Sequence, residues 1–332
     1  MPFDSTNGPT TFINMIYDVD SQWKALATSV GITIGNATKK RIIVDDIVSH
    51  GPTVDISLLY IKCQLRICCS YHLYLSLKKS FIFPLRFEFV GNDVSPDGNR
   101  PAQTKHHLLE SWPKMDIVRD VTKLIGFAQF YSMYIHHFEF YIAPLREITI
   151  KSKYTDPVAP LWLDAAQRSL DDVKKAILSD PCLMCFNHHR LIVLRTDFSA
   201  KGYGFVVCQP GTDDSSEAAM VAYRSGSDFA FMTKEAKGVL RPIAFRGRRC
   251  QGNKTRLHSH LGEGFAGDWA INKNRHMLFG TQFVWVTDCY AIRFILSYDG
   301  NNPAVLRLQM RLMCWDVDIV HRNDIHLTDA NY

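Results

Sequence analysis

Apolar residues in the second half of the chain are spaced as in buried strands. The run at 192–194 predicts a strand buried on both faces, with Asp197 just past its end. Gly202 and Gly204 predict a tight turn into a second, antiparallel strand. Two further strands are predicted at 282–288 and 316–321.

Apolar residues at helical spacing predict a helical subdomain before these strands. One helix is expected over 120–138, with Asp120 as its N-cap. Pro144 is expected to end this part of the subdomain. A second helix is predicted to begin near Asp164 and to stop before Pro181.

The helix predicted over 258–275 carries a carboxylate away from its apolar stripe. The stripe consists of Leu261, Phe265 and Trp269, whereas Glu263 aligns with small residues and could face a neighbouring strand end. Three glycines are expected to weaken this helix, each by about 1 kcal/mol relative to alanine.

Four carboxylates of this region are candidates for a metal centre: Asp197, Glu263, Asp288 and Asp329. Three follow strands and one lies on a helix between them, so they could converge at one edge of a mixed sheet. Such a cluster would repel itself unless cations lay between its members, and two Mg²⁺ (or Mn²⁺) ions about 4 Å apart would suit it. Taken singly, Asp197 could instead close a turn and Asp288 could cap a helix.

Basic residues are concentrated between positions 241 and 256, where no acidic residue occurs. Such a run is usually a solvated face, but beside a phosphodiester-cleaving site it would contact phosphates. Both interpretations are open. The candidate nucleic-acid-binding residues are Arg246, Arg248, Arg249, Lys254 and Arg256.

Composition and charge narrow the class of protein only modestly. The 332 residues leave room for two or three domains, and the net charge of +5 permits a nucleic-acid partner without requiring one. The nine cysteines are scattered, which indicates a reducing compartment. Neither a signal peptide nor a membrane span is recognisable, so we expect an intracellular protein, cytoplasmic or nuclear, without a membrane partner.

Three motifs stand out in the first hundred residues: Met1-Pro2-Phe3, Ile43-Val44-Asp45-Asp46 and Phe89-Val90-Gly91. They resemble part of a reverse transcriptase palm from gypsy-type LTR retrotransposons. The resemblance identifies Asp45 and Asp46, at the tip of a predicted β-hairpin, as a remnant of the polymerase site. In the family the third polymerase aspartate lies upstream of the first motif, so polymerase activity is not expected from this chain alone.

Further motifs occur in the second half of the chain at 196–204, Glu263, the motif ending at Asp288, 300–312, 318–322 and 328–330. Their order along the chain is similar to that in the ribonuclease H domain of the same retroelements. The resemblance implies an α/β (α+β) protein with a ribonuclease H-like mixed sheet flanked by helices. The stretches 124–138, 143–145 and 162–174 are in turn similar to the family's thumb. Together these resemblances imply a partial palm at 1–103, a helical thumb or connector at 104–185, and the ribonuclease H-like domain at 186–332, with an insertion at about 210–240.

The function implied by this resemblance is Mg²⁺-dependent hydrolysis of the RNA strand of RNA–DNA hybrids. Asp197, Glu263 and Asp288 would hold one ion, and Asp197 with Asp329 the other; no further small-molecule cofactor is expected. Contacts to 2′-hydroxyl groups and the shape of the hybrid would select the substrate. The alternative is a catalytically inactive remnant that holds nucleic acid through its basic run.

Overall fold

The structure is a computed structural model divided into two compact units, Met1–Val90 and Gly91–Tyr332. The residues that it describes are 8–29, 39–43, 46–51, 53–199, 202–211, 240–250 and 258–322. Within these ranges, no helix combines the length and the apolar character needed to cross a bilayer.

In its described residues the first unit contains two long helices, three short strands and a 3-10 helix at Leu77–Lys79. In chain order the long helices and strands are α1 (Gly8–Ser29), β1 (Lys39–Ile43), β2 (Asp46–His50), α2 (Val54–Ser70) and β3 (Phe87–Phe89). The two helices pack through a small apolar cluster, in which the rings of Trp23 and Tyr60 lie 5.2 Å apart.

The predicted β-hairpin of the first unit is confirmed at the level of the backbone. β1 and β2 are antiparallel, and Ile43 is the partner of Asp46. Asp46 is thus the first residue of β2, while Asp45 lies outside the described residues.

The second unit begins with a β-hairpin and four helices. These elements are β4 (Asn92–Ser95), β5 (Gly98–Pro101), α3 (Gln103–Glu110), α4 (Val118–Phe130), α5 (Phe138–Lys151) and α6 (Asp164–Leu178). The apolar faces of α4, α5 and α6 form one core, to which α6 contributes residues in the predicted helical register. The α6 residues in this core are Ala166, Leu170, Val173 and Ile177.

The prediction of one helix over 120–138 is wrong, because the chain bends between α4 and α5. Tyr131 and Tyr134 turn towards the β4–β5 hairpin, where their hydroxyls donate hydrogen bonds to Gly91 O and Asn92 Oδ1, both at 2.9 Å. His137 then adopts a left-handed conformation with a φ of 56°, which α5 follows.

Two further local predictions for this subdomain are also wrong. α4 begins at Val118, so Asp120 lies inside its first turn, and the Asp120 carboxylate accepts a hydrogen bond from the N–H of Ile117 at 3.4 Å. Pro144 does not end the preceding helix but lies within α5, which continues to Lys151.

The rest of the second unit is a five-stranded sheet with helices. Among the described residues its elements are β6 (Ile192–Phe198), β7 (Gly202–Pro210), β8 (Leu240–Arg249), α7 (Ser259–Lys273), α8 (Arg275–Leu278), β9 (Phe283–Thr287), a 3-10 helix (Tyr290–Ser297), α9 (Pro303–Leu312) and β10 (Val317–His321). The strand order is β10-β9-β6-β7-β8. β6, β9 and β10 are parallel, whereas β7 is antiparallel to β6 and β8. The predicted mixed sheet is therefore confirmed.

Both faces of the sheet are covered by apolar residues, as expected for parallel strands. On one face, side chains of β6, β7 and β9 pack against α7 and α9. The other face carries a second cluster from the same strands, and Phe245 of β8 joins it to the core of the helical subdomain. The strands thus form a rigid support whose edges can carry polar side chains.

The strands around Asp197 are longer than their apolar runs predict. Asp197 lies within β6 rather than past its end, and its Cα partner is Gly204. Gly202 and Gly204 consequently belong to β7 and not to the turn.

Candidate metal centre

Three carboxylates from distant parts of the sequence come together at one edge of the sheet. Asp197, Glu263 and Asp288 each offer an oxygen atom, and these atoms all lie within 4.8 Å of one another. Asp197 and Asp288 are half-buried, whereas the Glu263 side chain is only 2% exposed. No other such group of acidic, histidine or cysteine ligands occurs among the described residues.

The parallel pairing of β6 and β9 brings the two aspartates together. Leu194 is paired with Trp285, and Arg195 with Val286. Both strands therefore reach the same edge of the sheet, where Asp197 is the penultimate residue of β6 and Asp288 follows β9 directly.

Glycines on α7 allow the helix to approach this edge and deliver Glu263. A Cβ atom at Gly262 would overlap the ring of Phe198, and one at Gly267 would overlap the indole of Trp285. The apolar stripe of Leu261, Phe265 and Trp269 is only partly buried, whereas Gly262, Glu263 and Gly267 are buried. Glu263 faces the end of β6, as expected from its place beside small residues. At Gly262 and Gly267 only a glycine fits, because the sheet lies too close to the helix for a larger residue.

The Glu263 carboxylate has two hydrogen-bond donors. Its Oε1 accepts from the N–H of Phe198 at 2.9 Å, and its Oε2 accepts from the hydroxyl of Thr287 at 3.3 Å. Burial, followed by the charges of Asp288 and Asp197, raises the pKa of Glu263 from 4.5 to about 9. In the absence of a cation, the three carboxyl groups therefore do not all carry a negative charge at neutral pH, because Glu263 keeps its proton.

The donor set of this cluster suits a hard divalent cation. Three carboxylates without a thiol or an imidazole match the preference of Mg²⁺ and Mn²⁺ for oxygen ligands. Burial and then the neighbouring carboxylates keep Glu263 protonated, and a cation between the three groups would compensate the negative charge, so the residues present fit the predicted ion.

The structure describes only some of the other residues singled out by sequence. Arg246, Arg248 and Arg249 lie on β8, the edge strand of the sheet, where the first two are exposed and Arg249 is 4.0 Å from Glu147. Asp45, Lys254, Arg256 and Asp329 lie outside the described residues.

Thr287 and His321 are contacts of the site that sequence reasoning did not identify. Besides the bond from Thr287 to Glu263, the Nε2 atom of His321 donates to the carbonyl oxygen of Asp288 at 3.0 Å. Both residues lie in motifs that carry the family resemblance, next to Asp288 in one case and at the end of the last strand in the other. Their role follows from their location at the same edge of the sheet as the carboxylates. This location can be assigned only when the strand order is known.

A domain family matches strands β6 to β9 and the helices around them, and the match ends before β10. Residues 187–315 match the family described as the RNase H-like domain found in reverse transcriptase. This match includes all three clustered carboxylates.

Similar curated proteins are retrovirus-related Pol polyproteins of transposons. The Pol polyprotein from transposon opus of Drosophila melanogaster is 24% identical over 338 residues, covering 97% of this chain and 29% of the relative. That from transposon gypsy of the same species is 22% identical over 274 residues, covering 80% of this chain and 24% of the relative. The chain thus spans less than a third of these relatives.

Solved structures with a similar fold are foamy viral protease-reverse transcriptases. The one in complex with an RNA/DNA hybrid matches 98% of this chain and 39% of its own, with a TM-score of 0.68 and 13% sequence identity. A complex with double-stranded DNA matches 95% of this chain and 49% of its own, with a TM-score of 0.69.

Proposed function

Because this chain is a relative of retrotransposon Pol polyproteins and contains the RNase H-like domain of reverse transcriptases, we propose that it hydrolyses the RNA strand of RNA–DNA hybrids with Mg²⁺. The substrate is suggested by the family and by the hybrid bound to one of the similar solved structures. Polymerisation is not part of the proposal.

The observation that carries the proposal is the convergence of Asp197, Glu263 and Asp288 within 4.8 Å. Asp197 lies on β6, Asp288 follows β9, and Glu263 lies on α7. A cluster formed by chance on the surface would not contain a buried glutamate with a strongly raised pKa. Perturbed carboxylates of this kind are typical of functional sites.

In the proposed reaction these carboxylates hold and orient the metal centre. Asp197, Glu263 and Asp288 would bind one ion, and Asp197 with Asp329 would bind the second. When bound, the ions supply activation of the attacking water and neutralise charge on the scissile phosphate. The protein contributes a fixed arrangement of oxygen ligands on a rigid sheet edge, with Glu263 shielded from solvent.

Basic residues on β8 would bind the phosphate backbone of the hybrid. Arg246 and Arg248 project from the edge strand into solvent, which makes them accessible to a polyanion. These contacts would position the duplex without reading its bases, and 2′-hydroxyl contacts would distinguish RNA from DNA. We extend the same role to Lys254 and Arg256 on the basis of the sequence.

A cleavage assay tests the proposal. The full chain should cut the RNA of a labelled RNA–DNA hybrid in Mg²⁺ and should not do so in EDTA. Asp197→Asn removes a proposed ligand and should lower the rate by more than about 100-fold, beyond the 10–100-fold typical of changes around ligands. Cleavage that survives this substitution would contradict the proposal.

The same assay separates this function from binding alone. If the wild-type chain binds the hybrid but leaves it uncut in saturating Mg²⁺, the chain is a nucleic-acid-binding remnant and not a nuclease. The exposed arginines of β8 are the observation that favours this second function.

A further inference from the structure

The two oxygens of the Glu263 carboxylate are tied to different strands. Oε1 accepts a hydrogen bond from the N–H of Phe198, the residue after Asp197, at 2.9 Å. Oε2 accepts a hydrogen bond from the hydroxyl of Thr287, the residue before Asp288, at 3.3 Å. Glu263 on α7 is thereby hydrogen-bonded to the C-terminal ends of both β6 and β9.

The Thr287 hydroxyl has its donor and acceptor roles fixed by its neighbours. It donates to Glu263 and accepts a hydrogen bond from the N–H of Cys289 at 3.2 Å. The side chain is completely buried, with 0% exposure, so water does not compete for these bonds. One hydroxyl group therefore bridges the carboxylate of Glu263 and the backbone on the far side of Asp288.

The backbone around Asp288 is also held from the neighbouring strand β10. His321 donates through Nε2 to the carbonyl oxygen of Asp288 at 3.0 Å, and the N–H of Arg322 donates to Thr287 O at 2.9 Å. Because these hydrogen bonds hold the backbone in place, the Thr287 hydroxyl has a fixed position from which it can orient the Glu263 carboxylate.

We propose that Thr287 is a positioning residue of the metal centre, whose hydroxyl fixes the Glu263 carboxylate relative to Asp288. The inference rests on the proposed function, because it assumes that both carboxylates bind the same divalent cation. Groups that orient metal ligands typically change metal affinity by about 10–100-fold when they are removed. Thr287 would act through the Glu263 carboxylate, because its hydroxyl already donates to Glu263 and accepts from the N–H of Cys289.

The experiment measures Mn²⁺ binding to the full chain by calorimetry, together with hybrid cleavage as a function of Mg²⁺ concentration. Thr287→Val keeps the shape of the side chain and removes the hydroxyl. We expect Mn²⁺ affinity to fall by about 10–100-fold, and the Mg²⁺ requirement for cleavage to rise by a similar factor. KM for the hybrid should stay unchanged, and Thr287→Ser should restore Mn²⁺ affinity.

A matched control comes from Thr196, the residue before Asp197 on β6. Its side chain is also 0% exposed, and its hydroxyl accepts a hydrogen bond from Trp285 Nε1 at 2.8 Å instead of contacting a carboxylate. Thr196→Val should lower the melting temperature but leave Mn²⁺ affinity as in wild type. If Thr287→Val does not fold, Thr287→Ala removes the hydroxyl without the branched side chain and replaces it in the test.

The outcomes separate failure of this inference from failure of the proposed function. If wild type binds Mn²⁺ and cuts the hybrid while Thr287→Val binds Mn²⁺ equally well, the positioning role is wrong and the nuclease function stands. Equal losses of affinity in Thr287→Val and Thr196→Val would also overturn the positioning role. A wild-type chain that neither binds Mn²⁺ nor cuts would overturn both proposals.

Discussion

At the scale of single residues, the protonation of Glu263 dominates the behaviour of the metal-free site. Burial and the nearby charges of Asp288 and Asp197 raise its pKa to about 9, although the N–H of Phe198 opposes this shift. Without a cation, Glu263 thus keeps its proton at neutral pH. The same carboxyl group becomes a ligand only when a metal ion compensates its charge.

This protonation predicts how stability depends on pH in EDTA. In the unfolded chain Glu263 has its ordinary pKa of 4.5, so it loses its proton at lower pH than in the folded protein, where the pKa is about 9. The contribution of Glu263 to stability is therefore present below pH 4.5 and is lost as the pH rises to about 9, by at most about 1.4 kcal/mol per pH unit.

Urea denaturation of wild type and Glu263→Gln across this pH range measures the effect. As the pH rises, the free energy of unfolding of wild type should fall relative to that of Glu263→Gln. A difference that is independent of pH would contradict the raised pKa, because the glutamine variant has no proton to lose at this position.

At the scale of elements, the strands were predictable and the buried face of α7 was not. Apolar runs placed β9 and β10, although β9 is buried along its whole length and β10 only at Val317. The apolar stripe of Leu261, Phe265 and Trp269 is only partly buried. Hydrophobicity alone does not show how closely a helix approaches a sheet. At Gly262 and Gly267 the close approach of Phe198 and Trp285 decides which side of the helix is buried.

The break after α4 was unpredictable for a similar reason. The apolar spacing of 120–138 continues through it, but hydrogen bonds from Tyr131 and Tyr134 to the β4–β5 hairpin favour a bend over a continuous helix. These contacts join positions about 40 residues apart, and such pairings are not visible in local periodicity.

A pair of glycine substitutions tests the close approach of α7. Gly267→Ala should destabilise the protein by about 1–3 kcal/mol, since its Cβ would overlap the Trp285 indole in a packed core. Gly126→Ala on α4 is the matched control, because nothing lies within 4 Å of a Cβ there. It should stabilise the helix by about 0.5–1 kcal/mol. Equal effects of the two substitutions on the melting temperature would refute this packing.

At the scale of the whole molecule, the sheet and the helical subdomain form one compact unit, residues 91–332. The segment before β6 pairs with the β4–β5 hairpin, where the N–H of Asn99 donates to Leu183 O at 2.8 Å. Phe245 of β8 also contacts the ring of His136, at 5.4 Å between ring centroids. The domain boundaries expected at 103 and 185 stay predictions, because they were drawn from family motifs alone. The contacts that cross these boundaries join distant residues and cannot be inferred from the sequence.

The position of the arginines on edge strand β8 predicts a salt-dependent affinity for hybrid. The double substitution Arg246→Gln and Arg248→Gln should weaken binding and reduce the slope of log affinity against log salt by about 2, because each arginine would neutralise one phosphate. Arg307→Gln, an exposed arginine on α9, is the control and should leave the slope unchanged. An unchanged slope in the double variant would show that β8 does not contact phosphates.

The central claim is that Asp197, Glu263 and Asp288 bind a divalent cation together. Anomalous diffraction from crystals of the full chain grown with Mn²⁺ tests it most directly. The account predicts a manganese peak within about 2.0–2.3 Å of an oxygen of each carboxylate. Saturating Mn²⁺ without a peak between these three side chains, or with a peak only elsewhere, would contradict it.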